Sequence, residues 1–441
     1  MNLGELARAM DGELRADPDA RVEEAIIDSR KAHEGCLFFA LKGSRTDGHR
    51  YAADVVAEGA YAVVSRPVVD RGIVLVDDVE RALLRAGTWA RKRFDCPVLG
   101  ITGSSGKTTT RELLAAGLRQ RYTVGVTGRN LNNQLGLPLT LLNTDPGVEV
   151  LLLEMGMNHP GELDALGAVA LPTASLVTNV GTAHMEFFSD RNQIAAAKAE
   201  LLKRTRREGF CVIPVGEPVL ERAAEERKLS VMRAGPGGDL WVERDRRGYR
   251  LQPPDFAIHL ALEGEHNYEN AVVALLACDR MGLTLQESMQ AMADYEGMPG
   301  RGRVLDVGGV RIMDESYNAN PESTIACLGT LAEKVRDDGE GIAVLGSMLE
   351  LGERASSYHR DVLEFADRLG LKLVVLVGEL YPEVSNALSK TPFVSVDEPE
   401  GAAGHVLRSV RPGDVVLVKG SHSLGLERTV SELVSGTGAE T

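Results

Sequence analysis

Residues 98–110 read Val98-Leu99-Gly100-Ile101-Thr102-Gly103-Ser104-Ser105-Gly106-Lys107-Thr108-Thr109-Thr110. The short apolar run of Val98, Leu99 and Ile101 predicts a buried strand. Gly103 and Gly106 follow, and Lys107-Thr108-Thr109 opens an amphipathic run, Arg111 to Arg119, that predicts a helix. Strand, glycine loop and helix together make a phosphate cradle. Glycines let the backbone of Gly103-Ser104-Ser105-Gly106 turn tightly and aim several N–H groups at one anion, and the helix N-terminus adds its partial positive charge. Lys107 can reach terminal phosphates, and Thr108 can place a hydroxyl on a magnesium ion. Ile101 stands where the commoner form of this loop has its first glycine, so the spacing here is the compact Gly-x-x-Gly-Lys-Thr-Thr. A glycine turn that bound nothing would not need Lys-Thr-Thr at the helix start. The expected fold class is therefore α/β with a nucleotide site.

Working outward, Val150-Leu151-Leu152-Leu153 is the uniform apolar run of a buried parallel strand, and it ends at Glu154. A carboxylate at such a strand end, beside a phosphate loop, suits a magnesium ligand or a water-positioning base; the alternative is an acid facing solvent. Between these strands, Thr127 to Pro138 forms a polar loop carrying Asn130, Asn132 and Asn133. Their amides both donate and accept, which suits holding a peptide or sugar. Ala174 to Thr178 is another strand, and His184 follows its end. A neutral imidazole there can bind a second metal, although a lone histidine is also commonly structural. Asp190 to Lys203 reads as a helix in which Lys198 sits among alanines, and its ordinary reading is a surface lysine. Gly264 starts a long apolar helix whose Asn267 and Asn270 share a face and can read an adenine edge.

Residues 1–93 read as a small α/β unit, with strands at Val22–Ile27, Cys36–Leu41, Tyr61–Val64 and Ile73–Val76 and helices at His49–Glu58 and Asp78–Arg93. Two polar loops follow its first strands: Asp28-Ser29-Arg30, and Lys42 to His49. Ser29 and Arg30 suit a phosphate or a uracil edge; the same pattern fits two capped turns equally well. Residues 94–302 form a central unit with short strands across 239–263, ending in the linker Met298-Pro299-Gly300-Arg301-Gly302-Arg303. Residues 303–441 are a third, Rossmann-like α/β unit with strands at Val310–Met313, Ile342–Leu345, Leu373–Val377 and Val415–Lys419. It lacks Gly-x-Gly-x-x-Gly, which argues against a dinucleotide, and ends in a polar tail, Ser435 to Thr441.

The chain has 441 residues, enough for several domains, and a net charge of −15, which disfavours a nucleic-acid partner. Its five cysteines are scattered, as expected of reduced thiols in a cytoplasmic protein. The acidic first residues predict no secretory leader, and no apolar run is long enough for a membrane span.

The strings GITGSSGKTTT, NLNNQLGLPLTLL, LLLEMGMNHPGEL, TNVGTAHMEFF, AAAKAEL, EGEHNYENA, PGRGRV, DESYNANPEST, VLGSMLELG and KGSHS, in this order over nearly the whole chain, resemble the Mur ligases. The resemblance implies three domains: an N-terminal UDP-substrate-binding domain, a central P-loop ATPase domain and a C-terminal Rossmann-like domain. It implies an ATP-dependent peptide ligase, and SYNANP with the asparagine loop suggests that D-alanyl-D-alanine is joined to UDP-MurNAc-tripeptide through an acyl phosphate. By resemblance, Lys107, Lys198 and His184 are catalytic. Thr108 and Glu154 hold one Mg2+, and His184 with a carbamylated Lys198 the second. ATP meets Gly103 to Thr109, with Asn267 and Asn270 near adenine, Arg301 near the phosphates and Glu315 at the ribose; because Gly-Arg occurs twice, Arg303 is the alternative to Arg301. Ser29 and Arg30 meet UDP; Asn130, Asn132, Asn133, Tyr317, Asn318 and Asn320 are expected on the substrate side, and the enzyme is expected to act as a monomer. The chain departs from the family pattern at Glu315, Ser347 and His422, where the family carries Asp, Asp and Arg. Two other readings are an amide ligase akin to folylpolyglutamate synthase, against which the Asp-Ser-Arg unit argues, and a P-loop NTPase switch.

Overall fold

The computed structural model describes residues 1–43, 46–128, 130–245, 248–335 and 339–438. Ser44 and Arg45 of the second N-terminal loop, Arg129 of the asparagine loop and residues 439–441 of the polar tail lie outside them.

The first sheet has five strands, in the order Glu13–Arg15, Ile73–Leu75, Tyr61–Val64, Cys36–Phe39 and Glu24–Ile26. All neighbours are parallel except Glu13–Arg15, which runs antiparallel to Ile73–Leu75. That edge strand is short and polar and carries no apolar alternation, so the sequence pattern misses it.

The central sheet is wholly parallel, in the order Ser230–Ala234, Phe210–Pro214, Ala174–Val177, Val98–Thr102, Val150–Glu154 and Val124–Val126. Val98–Thr102 and Val150–Glu154 are buried at every residue, because helices cover both faces. Leu99, Ile101 and Leu152 face the helices Lys107–Leu118 and Glu265–Arg280. Val98, Leu151 and Leu153 face Glu162–Ala170 and Arg191–Arg204. Gly100 lets the second layer close, since a Cβ there would stand 3.1 Å from a methyl of Leu201. A three-stranded antiparallel ribbon, Trp241–Asp245, Gly248–Gln252 and Phe256–Ile258, packs Val242, Leu251 and Ile258 onto the apolar face of helix Glu265–Arg280.

The third sheet runs Arg303–Val307, Val310–Glu315, Val415–Lys419, Gly341–Gly346, Leu373–Val377 and Phe393–Val396, with only the first strand antiparallel. Arg303, read from composition as the end of a linker, instead begins that first strand.

The three units are not joined alike. Leu3, Leu37, Val63 and Leu83 of the first unit share one continuous apolar cluster with Leu137, Leu142 and Leu151 of the second. Asn143 stitches the seam: it donates from Nδ2 to the Ala25 carbonyl at 2.9 Å and accepts the Ala25 N–H at Oδ1 at 2.8 Å. The third unit keeps two apolar clusters of its own. It meets the second through polar contacts, among them Lys334–Glu263 at 3.1 Å, Thr182 N–H to Glu322 at 2.9 Å and Arg244–Glu333. A polar boundary of this kind separates at little cost. Among the described residues no helix is long and apolar enough to cross a membrane.

Asn143→Ala removes both partners of the Ala25 backbone from a seam that is otherwise apolar. Its expected cost is about 1–3 kcal/mol, read as a lower chemical-denaturation midpoint; a change below about 0.5 kcal/mol, the range of an ordinary surface substitution, would contradict the seam.

Candidate active site

The C-terminal ends of the central strands and of the third sheet open into one cleft of about 920 Å³. Strand ends are where α/β sheets leave backbone groups and side chains free for ligands.

The phosphate loop forms as its spacing demands. Gly106 is left-handed (φ +74°) and caps the helix Lys107–Leu118; a Cβ on it would stand 2.0 Å from Asn270 Oδ1. A Cβ on Gly103 would stand 1.8 Å from Thr178 Oγ1. Only glycine fits either place. Asn179 ties the loop down by accepting the Ser105 N–H at Oδ1 at 3.0 Å, and Thr178 Oγ1 donates to the Ser105 carbonyl at 2.6 Å. Ser104 Oγ accepts the Gly181 N–H. The first-turn N–H groups from Lys107 to Thr109 have no partner within their own helix. Lys107 Nζ donates to the Gly103 carbonyl at 2.7 Å, folding over the loop. Burial pushes its ammonium below the ordinary value, against the pull of Glu154.

Glu154 is the meeting point. Its Oε2 accepts from Thr108 Oγ1 at 2.8 Å and from Arg111 at 3.1 Å, and its Oε1 accepts from Asn132 Nδ2 at 2.9 Å. Burial alone would raise this carboxyl, but Arg111, Arg301 and Lys107 outweigh it and hold it below the ordinary carboxylate value. It is ionised, and a Thr hydroxyl beside a carboxylate is an oxygen donor set that fits a hard divalent cation such as Mg2+.

Lys198 is not the surface lysine of its ordinary reading. It is 1% exposed, among the most deeply buried of the large side chains. Burial first, and then the nearby Lys107 charge, lower its pKa well below the ordinary value. The alanines on either side explain how it is buried: Ala195, Ala197 and Ala199 let the helix pack closely on its neighbours. An ammonium is no metal ligand, but a neutral amine can be converted into one.

His184 lines the cleft in a left-handed conformation (φ +64°), and its Nδ1 lies 2.5 Å from Glu350 Oε2 of the third unit. That hydrogen bond holds the Glu350 carboxyl below its ordinary value, so Glu350 accepts and Nδ1 carries the proton.

Arg301 and Arg303 separate clearly. The Arg301 guanidinium stacks on the Tyr317 ring at 3.6 Å inside the cleft, whereas Arg303 is exposed on its edge strand. His422 stacks on Tyr317 at 4.7 Å, and the Tyr317 hydroxyl donates to Asn130 Oδ1. Glu315 is half-buried in the cleft wall 3.9 Å from Lys419 Nζ, and desolvation raises its pKa against the pull of that lysine. Lys419 also donates to the Asn318 carbonyl at 3.0 Å. Lys107, Arg301 and Lys419 thus converge on one space, the charge pattern of an anion site.

Other expected residues carry structural contacts as well. Asn270 touches the glycine loop and accepts from Thr110 Oγ1 at 3.3 Å, while Asn267 donates to the Glu263 carbonyl at 2.7 Å; both line the cleft beside Thr109. Asn133 Oδ1 accepts the Leu135 and Gly136 N–H groups at the start of helix Gly136–Asn143, and Asn320 caps helix Pro321–Lys334. Ser29 and Arg30 are not brought into this cleft. They form a short turn in the first unit, where Arg30 grips Asp28 at 2.9 and 2.7 Å and lowers its pKa to about 2.

Sequence reading missed Arg111, four residues after Lys107 and so on the same helix face; the spacing was there to be read. It also missed Glu350, and Trp241, Val242 and Val273, which give the cleft an apolar wall beside Asn270. These come from distant segments, and no local pattern announces them.

The chain matches the descriptions "Mur ligase middle domain" over residues 101–278, "Mur ligase, glutamate ligase domain" over 300–422 and "Mur ligase family, catalytic domain" over 22–75. It is 34% identical, over 95% of its length and 93% of the relative's, to the UDP-N-acetylmuramoyl-tripeptide–D-alanyl-D-alanine ligase of a Synechocystis species. The crystal structure of MurF from Acinetobacter baumannii superposes with a TM-score of 0.87 at 28% identity, covering 98% of both chains. MurF ligase from Thermotoga maritima, solved in complex with ADP, superposes with a TM-score of 0.84 at 30% identity, covering 96% of this chain and 99% of that one.

Arg111→Ala leaves the Glu154 charge buried without its strongest partner. Expected is a destabilisation of about 3–5 kcal/mol, measured by chemical denaturation at neutral pH. The double variant with Glu154→Gln, which removes the charge, should recover part of it; a single variant as stable as the parent would contradict the buried pair.

Proposed function

This chain belongs to the Mur ligase family, and from that premise we propose that it joins D-alanyl-D-alanine to UDP-MurNAc-tripeptide at the expense of ATP, acting as a monomer in the cytoplasm, with an N-terminal domain over residues 1–93, a central one over 94–302 and a C-terminal one over 303–441. The observation that carries the reading is the shared cleft floor, where the phosphate loop, Glu154 and Arg301 stand together. That is equipment for moving a phosphoryl group between two anions.

In the first step an oxygen of the tripeptide carboxylate attacks the γ-phosphorus of ATP and ADP leaves, giving an acyl phosphate. In the second, the dipeptide amine attacks the carbonyl carbon, phosphate leaves with the C–O bond electrons, and the amine sheds a proton. Lys107, the N–H groups of Gly103 to Thr109, and Arg301 oppose the negative charge that gathers on the transferring group. Asn267 and Asn270 face adenine across the apolar wall of Trp241 and Val273, and Glu315 takes the ribose with a longer arm than the family's Asp. Asn130, Asn132, Asn133, Tyr317, Asn318 and Asn320 position the peptide, while Ser29 and Arg30 serve the uridine end. Tyr317, stacked on Arg301 and bonded to Asn130, links the two walls the substrates would bridge.

Thr108 and Glu154 would hold one Mg2+, and His184 with the carbamate of Lys198 the second; the ions would supply charge neutralisation at the phosphates. The buried Lys198 amine supports this, because only a neutral amine adds carbon dioxide and burial beside Lys107 favours that form.

The test is phosphate release by the purified protein. It should require the muramoyl tripeptide and the dipeptide together, with a product heavier by one dipeptide less water. Hydrolysis of ATP without either substrate would overturn the reading. Lys107→Ala should lower turnover by about 10²–10³-fold with an intact fold.

Lys198→Ala should lose most activity and recover part of it with added short carboxylic acids. Lys198→Arg should fail equally, since arginine keeps its proton. Carbon NMR with isotope-labelled bicarbonate should show a carbamate in the parent and none in either variant; full activity in Lys198→Arg would refute the carbamate.

A further inference from the structure

His184 and Glu350 meet across the boundary between the second and third units, and both are non-glycine residues held in left-handed backbone, at φ +64° and +62°. Such conformations persist only where the surroundings over-determine them. The surroundings of Glu350 do so. Met348 is fully buried and Leu351 nearly so, and they anchor the segment in the apolar cluster of the third unit. The Met348 N–H donates to His359 Nε2 at 2.9 Å, and the Leu349 N–H donates to Ser421 Oγ at 2.9 Å. Between these anchors the Glu350 side chain is presented outward to His184.

The approach is also close at the backbone. The Glu186 N–H donates to the Glu350 carbonyl at 3.2 Å, and a Cβ on Gly352 would stand 3.1 Å from Glu186 Cα. Glycine two residues after Glu350 suits this close approach, since its φ is +58° and a side chain there would press on Glu186. With Nδ1–H given to the carboxylate, Nε2 is the nitrogen left for the cleft that His184 lines.

We infer that Glu350 is a positioning residue for His184: its carboxylate, delivered by the third unit, fixes the tautomer and ring orientation that leave Nε2 free to take a divalent cation. A carboxylate behind a ligating imidazole sharpens its direction and raises its basicity. The inference rests on the metal role proposed above for His184. It adds that this half of the site is complete only when the third unit is docked, because the orienting group comes from there.

The experiment uses the full chain with Mn2+, a non-hydrolysable ATP analogue and the muramoyl substrate, read by electron paramagnetic resonance. The parent should bind two Mn2+ ions, one of them with nitrogen modulation from an imidazole. Glu350→Ala should weaken that ion about ten- to hundred-fold and abolish the modulation. The other ion, the nucleotide affinity and the melting midpoint should stay at parental values, which a merely structural role would not allow. Glu350→Gln keeps an acceptor oxygen and should retain most of the modulation. A parent with a single ion, or a Glu350→Ala protein that binds both ions at parental affinity with the nitrogen signal intact, would overturn the inference. Dipeptide-dependent phosphate release by the parent judges the ligase reading separately, so either can fail while the other stands.

Discussion

The Glu154 carboxylate joins three segments that share little else. Thr108 and Arg111 come from the helix behind the glycine loop, Asn132 from the asparagine loop, and Glu154 itself from the end of a fully buried strand. A carboxylate this deep would be costly without compensation, and three donors together with the cationic surroundings supply it. The consequence reaches in both directions. The hydrogen bonds fix the glycine loop and the asparagine loop relative to one another, and the charge they stabilise is the one a divalent cation would use. Removing the anion would loosen the two loops at the same moment as it removed the cation's ligand.

Around this fixed floor the molecule is built unevenly. The first two units share an apolar core and an asparagine stitch, so the first unit and the phosphate loop belong to one body. The third unit brings Arg301's stacking partner Tyr317, together with Glu315 and Lys419, to the cleft and Glu350 to His184, through hydrogen bonds and ion pairs. Polar contacts of this type open and close more readily than a shared core. An acyl phosphate must be shielded from water while it exists, and its product must then leave; a wall that docks through polar groups serves both needs.

What was legible in the sequence was local. Strand, glycine loop and helix are specified by neighbouring residues, and the requirement for Gly103 and Gly106 is met in three dimensions by Thr178 and Asn270. Glu154 was legible because a uniform apolar run must end somewhere, and an acid at its end faces the site. Lys198 was not, since neighbouring alanines are compatible with either an exposed or a closely packed helix face; packing decided the matter. Arg303 looked like linker because glycine and proline precede it, yet pairing with Asp314 begins a strand there. Glu350 was beyond local reading altogether, for its meaning lies in His184, from which 166 residues separate it. The resemblance to a family supplied roles for individual residues; the structure supplied their burial, partners and charge.

The central claim is that the cleft activates a carboxylate by phosphorylating it. Labelling both oxygens of the acceptor carboxylate of the muramoyl tripeptide with a heavy isotope, and analysing the released phosphate by mass spectrometry, tests this directly. The account predicts one heavy oxygen in each phosphate released and the other in the new peptide bond. Phosphate free of label, with turnover otherwise normal, would contradict it.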